Sequence, residues 1–456
     1  MSDAPPLNIA RKLAIGVGDL GLNLYWQFAS FFLLFYYTDV LGLSPAVAGA
    51  IYMAALIVDG VLDPVVGLIA DRTQTKWGRY RPYMMFGAVP LALAFCLNLA
   101  APANGGMGVL VFVAVTHIIF RAAYAMVSIP YASLFARVTR DSVARGDLAG
   151  IRMFFATSGA VAVAFLTLEI VKLTAANIPG ANPWVLVGAM YGMLASGAIA
   201  LAVWGSAKSD LPGPAPAHET TKGFRWQGVL QNRAFLVLLV ALIVTSICNT
   251  MFGKNMLYYF KYILHHEDMI GVAIGSGAIA LALFVPVWTL AMRKIGKKMT
   301  WVWGAVVNIT GFLLWRLVEP LGPEPHILAI LVQSAGGAGI VTATWGMLPD
   351  TVEYGEWRTG ARAESLTFGL TVFGQKAALG GAAGALGWML TQIGYVANAE
   401  QTPDTLDAIK NITFWFPFIG FSLALGVMAF YPISTAFHRK MVEDIDARAA
   451  AQPAAE

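Results

Sequence analysis

The chain has 456 residues, 58% apolar and 12% charged, with a mean hydropathy of +0.66. A soluble globular protein carries about 25% charged residues, and this shortfall excludes a disordered chain, a collagen-like fibre and a nucleic-acid binder. Its 30 basic and 26 acidic residues are too balanced for a polyanion-binding face, and Cys96 and Cys248 offer neither a disulfide framework nor a metal cluster. What remains is an all-α, polytopic membrane protein.

A bilayer core about 30 Å thick takes about 20 apolar residues per helix. Runs of that length predict twelve spans: 13–38, 46–70, 83–101, 108–135, 150–172, 184–205, 233–261, 269–291, 299–317, 326–348, 364–394 and 410–436. The first contains Asp19 and Asn23 and lacks a small-residue cleavage site, so it reads as a helix and not a signal peptide. The 46 glycines supply the small residues that close helix packing in lipid requires. A Pro/Gly-rich polar stretch, 206–232, follows the sixth span. An N-terminal six-helix half (1–205), a cytoplasmic linker (206–232) and a C-terminal six-helix half (233–436) make the parallel-repeat plan of the major facilitator fold, in which substrate binds between the halves near mid-membrane. The cytoplasmic tail, 437–456, is polar and Ala-rich beyond Arg439 and is expected to fray.

With the N-terminus in the cytoplasm, 22 of the 30 basic residues fall on that side, and Lys172, Lys261, Arg316 and Lys410 on the other. This positive-inside bias puts both termini in the cytoplasm and the chain in the cell's inner membrane.

Ionisable groups in hydrocarbon cost about 2.5–3.5 kcal/mol each even on insertion scales, so they are the first functional candidates. Asp19 lies in the first span, Asp59 and Asp63 in the second, Arg121 in the fourth, Lys254 in the seventh and Lys376 in the eleventh. Arg152, Glu169 and Glu364 lie nearer span ends, where snorkelling accounts for them equally well. The four-residue spacing of Asp59 and Asp63 puts both carboxylates on one helical face, about 6 Å apart. Such a pair shares a proton or coordinates a small cation such as Na+; alternatively, Lys376 or an arginine neutralises it and it merely joins helices.

On the fourth span His117, Arg121, Tyr124 and Ser128 form one stripe. Hydroxyl and ring groups suit a sugar, and a guanidinium suits a carboxylate held bidentately. The structural alternative pairs Arg121 with Asp19, and His117 alone reads as a packing residue. Tyr25, Trp26, Trp345, Phe368 and Phe373 could stack on a sugar ring or serve as interface anchors, with Trp345 the strongest candidate. At the cytoplasmic ends, Asp71, Arg72, Arg79, Arg140 and Arg145 in one half stand against Asp350, Glu353, Glu356 and Arg362 in the other. They predict either a gate of ion pairs or solvated surface charge worth about 0–1 kcal/mol per pair.

The run VDGVLDPVVGLIADRTQTKWGRYRP (58–82), together with GVGDLGLNL (16–24), FYYTDVLGLS (35–44), SIPYASL (128–134), LPDTVEYGEWRTGARAES (348–365) and the QK at 375–376, resembles the glycoside–pentoside–hexuronide:cation symporters, the melibiose permease family of the major facilitator superfamily. The resemblance implies sugar uptake driven by H+, Na+ or Li+, with the cation at Asp59 and Asp63 and a charged lysine at Lys376. Departures from the melibiose carriers are informative. Asn23 and Ser128 replace two sugar-binding acids, Arg121 replaces a glycine and Ala132 a tryptophan. The site has lost two negative charges and gained a positive one, which favours an acidic sugar such as a hexuronide. Leu62 and Ala125 stand where two further oxygen ligands would be, which favours H+ over Na+.

The expected function is therefore alternating-access symport of a glycoside held by Asp19, Asn23, Arg121, Tyr124, Ser128, Arg152, Lys254, Trp345 and Lys376. Its partners are a small sugar, the coupling cation (H+ or Na+) and the lipid bilayer, with no other cofactor, no nucleic acid and the chain acting as a monomer. Rival readings are a carrier of lysophospholipid-like amphiphiles and a neutral glycoside:Na+ symporter. An enzyme is disfavoured, because neither HExxH nor GxSxG occurs, and a channel lacks a repeated filter-like loop.

Overall fold

The computed structural model describes residues 8–101, 106–138, 142–207, 231–360 and 363–451. These are helical almost throughout. Helices α1 (Ile9–Gly16) and α2 (Gly18–Phe31) run on through Leu33–Phe35 into a π-helical turn, Tyr36–Val40. Then come α3 (Pro45–Arg72), α4 (Arg81–Asn98), α5 (Met107–Val138), α6 (Ser142–Asn177) and α7 (Pro183–Gly205). The second half supplies α8 (Arg233–Tyr258), α9 (Ile270–Ile295), α10 (Lys297–Val318), α11 (Glu324–Thr359), α12 (Glu364–Gln392), α13 (Pro403–Ala429) and α14 (Thr435–Ala451).

Nine helices among the described residues are long and apolar enough to cross a bilayer. The other three predicted spans fall on α2 with its extension, α4 and α12, so each apolar run is a helix. Only helices can satisfy every backbone group within the segment in hydrocarbon, which is why apolar length dictates the secondary structure. Side chains follow the same solvent: Leu68, Phe86, Leu166, Leu283 and Leu423 are exposed, whereas Asp59, His117, Arg121, Lys254 and Asn308 are buried. Proline interrupts several helices from within, at Pro64, Pro90, Pro130, Pro286, Pro349 and Pro417.

The chain forms two compact units. The first takes in α1 to α7 together with Phe260–Gly275 and Ala383–Leu406. The second takes in the rest of α8 to α14. Two stretches from the second half of the sequence therefore pack with the first, and the buried polar knot described below accounts for both. Most of the expected linker, 208–230, lies outside the described residues.

The last predicted run and the tail are redrawn. Helix α13 ends at Ala429, and Pro432 precedes a separate polar helix, α14. Where the sequence predicts a frayed tail, the structure has a helix through Ala451 with side chains bonded to α11. Trp357 Nε1 donates to Asp444 Oδ2 at 3.0 Å, and Arg448 donates to the Trp357 carbonyl at 2.6 Å.

Packing within the second unit is tightest between α10 and α11. A Cβ on Gly336 would lie 2.2 Å from the Asn308 backbone nitrogen, and Asn308 Nδ2 donates to the Gln333 carbonyl at 2.8 Å. Gly336→Val should therefore destabilise the protein by about 1–3 kcal/mol, the usual effect of overpacking. Gly426→Ala, where an added Cβ meets nothing within 4 Å, should not. Thermal unfolding in detergent micelles checks both.

Candidate substrate and cation site

In the first unit, α2, α5 and α6 meet at an ion pair. Arg152 donates to both oxygens of Asp19, at 2.5 Å from Nε and 3.3 Å from Nη2. The Tyr131 hydroxyl lies 2.9 Å from Asp19 Oδ2 and 2.9 Å from the Ile15 carbonyl. The Phe135 ring covers the Arg152 guanidinium, whose carbon is 3.5 Å from the ring centroid. Asp19 is thus engaged by Arg152 and Tyr131, and the alternative that paired it with Arg121 is not what the structure holds. Asn23, one turn on, donates to the Asp19 carbonyl at 2.9 Å and accepts from Gln27 at 3.3 Å.

Arg121 is buried on α5, only 1% exposed, with Nη1 lacking a hydrogen-bond partner among the described residues. Its Nε donates to His117 Nε2 at 3.3 Å. Rings of Trp26, Phe120 and Tyr52 lie 5.3, 5.6 and 5.8 Å from the guanidinium carbon. Aromatic faces partly offset the charge, by about 2 kcal/mol or more per ring when desolvated. Tyr124 packs on Trp26 with ring centroids 5.9 Å apart, and Ser128 completes the stripe, half-buried. Tyr25 is instead core, its ring edge-on to Phe95 at 5.1 Å.

Helix α3 carries Asp59, fully buried, and Asp63, half-buried. Pro64 has no N–H, so the Gly60 carbonyl four residues back loses its intrahelical donor beside the two acids. Two carboxylates and this carbonyl are the oxygens α3 could offer a proton or a small cation.

In the second unit, Lys254 is buried on α8, Lys376 is half-buried on α12 and Trp345 is exposed on α11. The acids assigned to a cytoplasmic gate are engaged within this unit. Asp350 accepts from Lys297 Nζ at 2.6 Å, and His438 Nε2 lies 2.6 Å from Glu353 Oε2 and 3.5 Å from Asp350 Oδ1. Asp350, Glu353 and His438 offer a metal ion one ligand atom each, all within 4.8 Å. The Lys297 ammonium on Asp350 already supplies the positive charge there. Glu356 is half-buried on the same helix. In the first unit, Tyr80 OH donates to Asp71 Oδ1 at 2.6 Å, and burial followed by that carboxylate pushes the phenol up to about 12. Arg72 is exposed and Arg79 buried, whereas Arg140, Arg362 and the side chain of Arg145 lie outside the described residues.

A buried knot around Asp39, outside the candidates that the sequence singles out, lies inside the first unit. Asp39 Oδ1 accepts from Lys261 Nζ at 2.9 Å and Tyr262 OH at 2.7 Å. Its Oδ2 accepts from Tyr395 OH and Thr38 Oγ1, each at 2.8 Å, and Asn398 Nδ2 donates to its carbonyl at 2.6 Å. The signal was present, since Asp39 sits among Tyr36, Tyr37 and Thr38 at the end of an apolar run, as anomalous as Asp19.

Apolar spans that keep a few ionisable groups buried in their interior define a multi-pass membrane transporter. The chain belongs to the MFS/sugar transport protein family, which it matches over residues 14–435. It is 28% identical to the isoprimeverose transporter of Lactiplantibacillus pentosus, over 98% of this chain and 93% of that one. It is also 28% identical to the glucuronide carrier protein homolog of Escherichia coli (strain K12), over 95% and 94% of the two chains. The solved structure of the xylose transporter XylE from E. coli, in a partially occluded inward-open conformation, shares the fold with a TM-score of 0.63. Identity there is 15%, with 94% of this chain and 98% of that one covered. The protein is a sugar transporter and not an enzyme.

Removing one partner of a buried ion pair leaves the other charge stranded. Asp39→Asn should therefore lower stability by about 3 kcal/mol, and Tyr395→Phe, which removes one neutral donor, by about 1 kcal/mol. Chemical or thermal unfolding of the purified protein measures both.

Proposed function

We propose that this transporter carries an acidic glycoside, of the hexuronide type, in symport with protons by alternating access. It does so in the inner membrane, with both termini in the cytoplasm. The observation that carries the proposal is Arg121, a buried guanidinium whose Nη1 has no hydrogen-bond partner among the described residues, while Asp19 is engaged by Arg152. A carboxylate offers that guanidinium the bidentate partner it lacks, and Trp26, Tyr124, Asn23 and Ser128 provide the ring face, amide and hydroxyl that suit a sugar. The relation to a glucuronide carrier homolog supports the same substrate class.

Protonation of Asp59 and Asp63 cancels two charges on α3 and favours substrate binding. Coupling requires that the loaded state bind substrate better by about 1–3 kcal/mol. Leu62 and Ala125 offer no side-chain oxygen, and Na+ wants several oxygens, so a proton is the better fit. The relation to an isoprimeverose transporter favours a second reading, a neutral glycoside carrier.

Proteoliposomes separate the two. Under an inward proton gradient a uronide should accumulate uphill, and under a sodium gradient alone it should not. Strong accumulation of neutral glycosides with none of uronides would replace the first reading by the second. Asp59→Asn and Asp63→Asn should each abolish uphill accumulation, at least tenfold, while preserving substrate exchange. Full accumulation in either variant would remove the carboxylate pair from the coupling mechanism.

A further inference from the structure

We infer that His117 is a positioning residue, one that holds the Arg121 guanidinium so that its outer fork faces the anionic group of the substrate. The inference rests on the acidic-substrate reading and deepens it.

An arginine has five N–H donors and no acceptor, so the contact between Arg121 Nε and His117 Nε2, at 3.3 Å, fixes the roles of both groups. The imidazole accepts at Nε2 and is neutral, with its proton on Nδ1. Donation from Nε to the imidazole also restrains the guanidinium plane about the Cδ–Nε bond. The nitrogens left over are the terminal pair, including the unpartnered Nη1, and a carboxylate takes them side by side.

The imidazole is itself immobilised. It is 0% exposed, with the rings of Tyr52 and Tyr37 edge-on at 5.5 and 5.8 Å and Phe120 stacked at 6.3 Å. Tyr37 OH donates to Asn98 Oδ1 at 3.0 Å, and Asn98 Nδ2 donates to Thr116 Oγ1 at 3.1 Å. A relay of satisfied polar groups therefore runs from α4 through Tyr37 to the face of His117. Without an acceptor at position 117 the guanidinium swings among its aromatic neighbours, and substrate must pay the entropy of orienting it. That cost appears in KM and leaves the turnover of the loaded carrier alone.

The test uses the full chain in proteoliposomes, with phenyl glucuronide as probe and a fixed inward proton gradient. His117→Phe keeps a ring and His117→Leu a smaller apolar group, and both remove the acceptor. His117→Gln restores a carbonyl oxygen near the Nε2 position. Arg121→Gln reports on the reading beneath. The expected result is a KM at least tenfold higher in the Phe or Leu variant with Vmax within twofold, and a KM within threefold of wild type in His117→Gln. An unchanged KM in the Phe and Leu variants overturns the inference. So does a joint fall in Vmax and affinity that His117→Gln does not rescue, since that is the mark of a packing role. Wild type that fails to carry the glucuronide, or Arg121→Gln that carries it normally, removes the acidic-substrate reading and this inference with it.

Discussion

A charge inside hydrocarbon must be neutralised where it stands, and the first unit of this protein is organised by the ways it does so. Asp19 is closed off by Arg152 and Tyr131, and Asp39 by Lys261, two tyrosines and a threonine. In both, opposite charges meet and the remaining lone pairs accept hydrogen bonds, the condition under which a buried pair repays its desolvation. Arg121 is treated differently. It has aromatic faces and one imidazole nitrogen, which lessen the cost of its charge without cancelling it. On the proposed reading, the contrast between two complete pairs and one incomplete cation separates structural charge from charge kept for a ligand.

Close backbone approach makes the first of these pairs possible. A Cβ on Gly18 would lie 2.6 Å from Tyr131 Cε2, so α2 can bring Asp19 to Tyr131 only because residue 18 has no side chain. The glycine abundance visible in the sequence is here given a specific consequence. It lets an acid on one helix share a hydroxyl from α5 and a guanidinium from α6 at ordinary hydrogen-bond length. The Asp39 knot does similar work at the other end of the same segment. It draws Lys261, Tyr262, Tyr395 and Asn398 into the first unit, although all four come from the second half of the chain.

The spans and the odd charges were legible because hydropathy is a one-dimensional property, and apolar length alone decides what must be helical in lipid. Pairing was not legible. From sequence, Asp19 reads as a partner for Arg121, and only the placement of α6 beside α2 gives it Arg152 instead. The same limit hid the tail helix. Its composition argued for fraying, but Asp444 and Arg448 find Trp357, 87 and 91 residues away. His117 reads as a packing residue for a related reason. A lone histidine carries no signal until the donor it accepts from is known.

The two halves of the proposed chemistry share one rigid element. Tyr52, Asp59 and Asp63 are spaced by seven and then four residues along α3, close to a single face of that helix. The Tyr52 ring touches both His117 and Arg121, while the two acids lie two and three turns further on. In the proposed coupling, neutralising those acids changes the charge that α3 presents to its neighbours. On the proposed reading a shift at Asp59 carries Tyr52 with it, because both lie on the stretch of α3 ahead of Pro64. Tyr52, beside Arg121, and Asp59 therefore belong, on that reading, to one helical segment. In the proposed coupling, a proton taken up at Asp59 would alter the surroundings of Arg121 through Tyr52 without touching it.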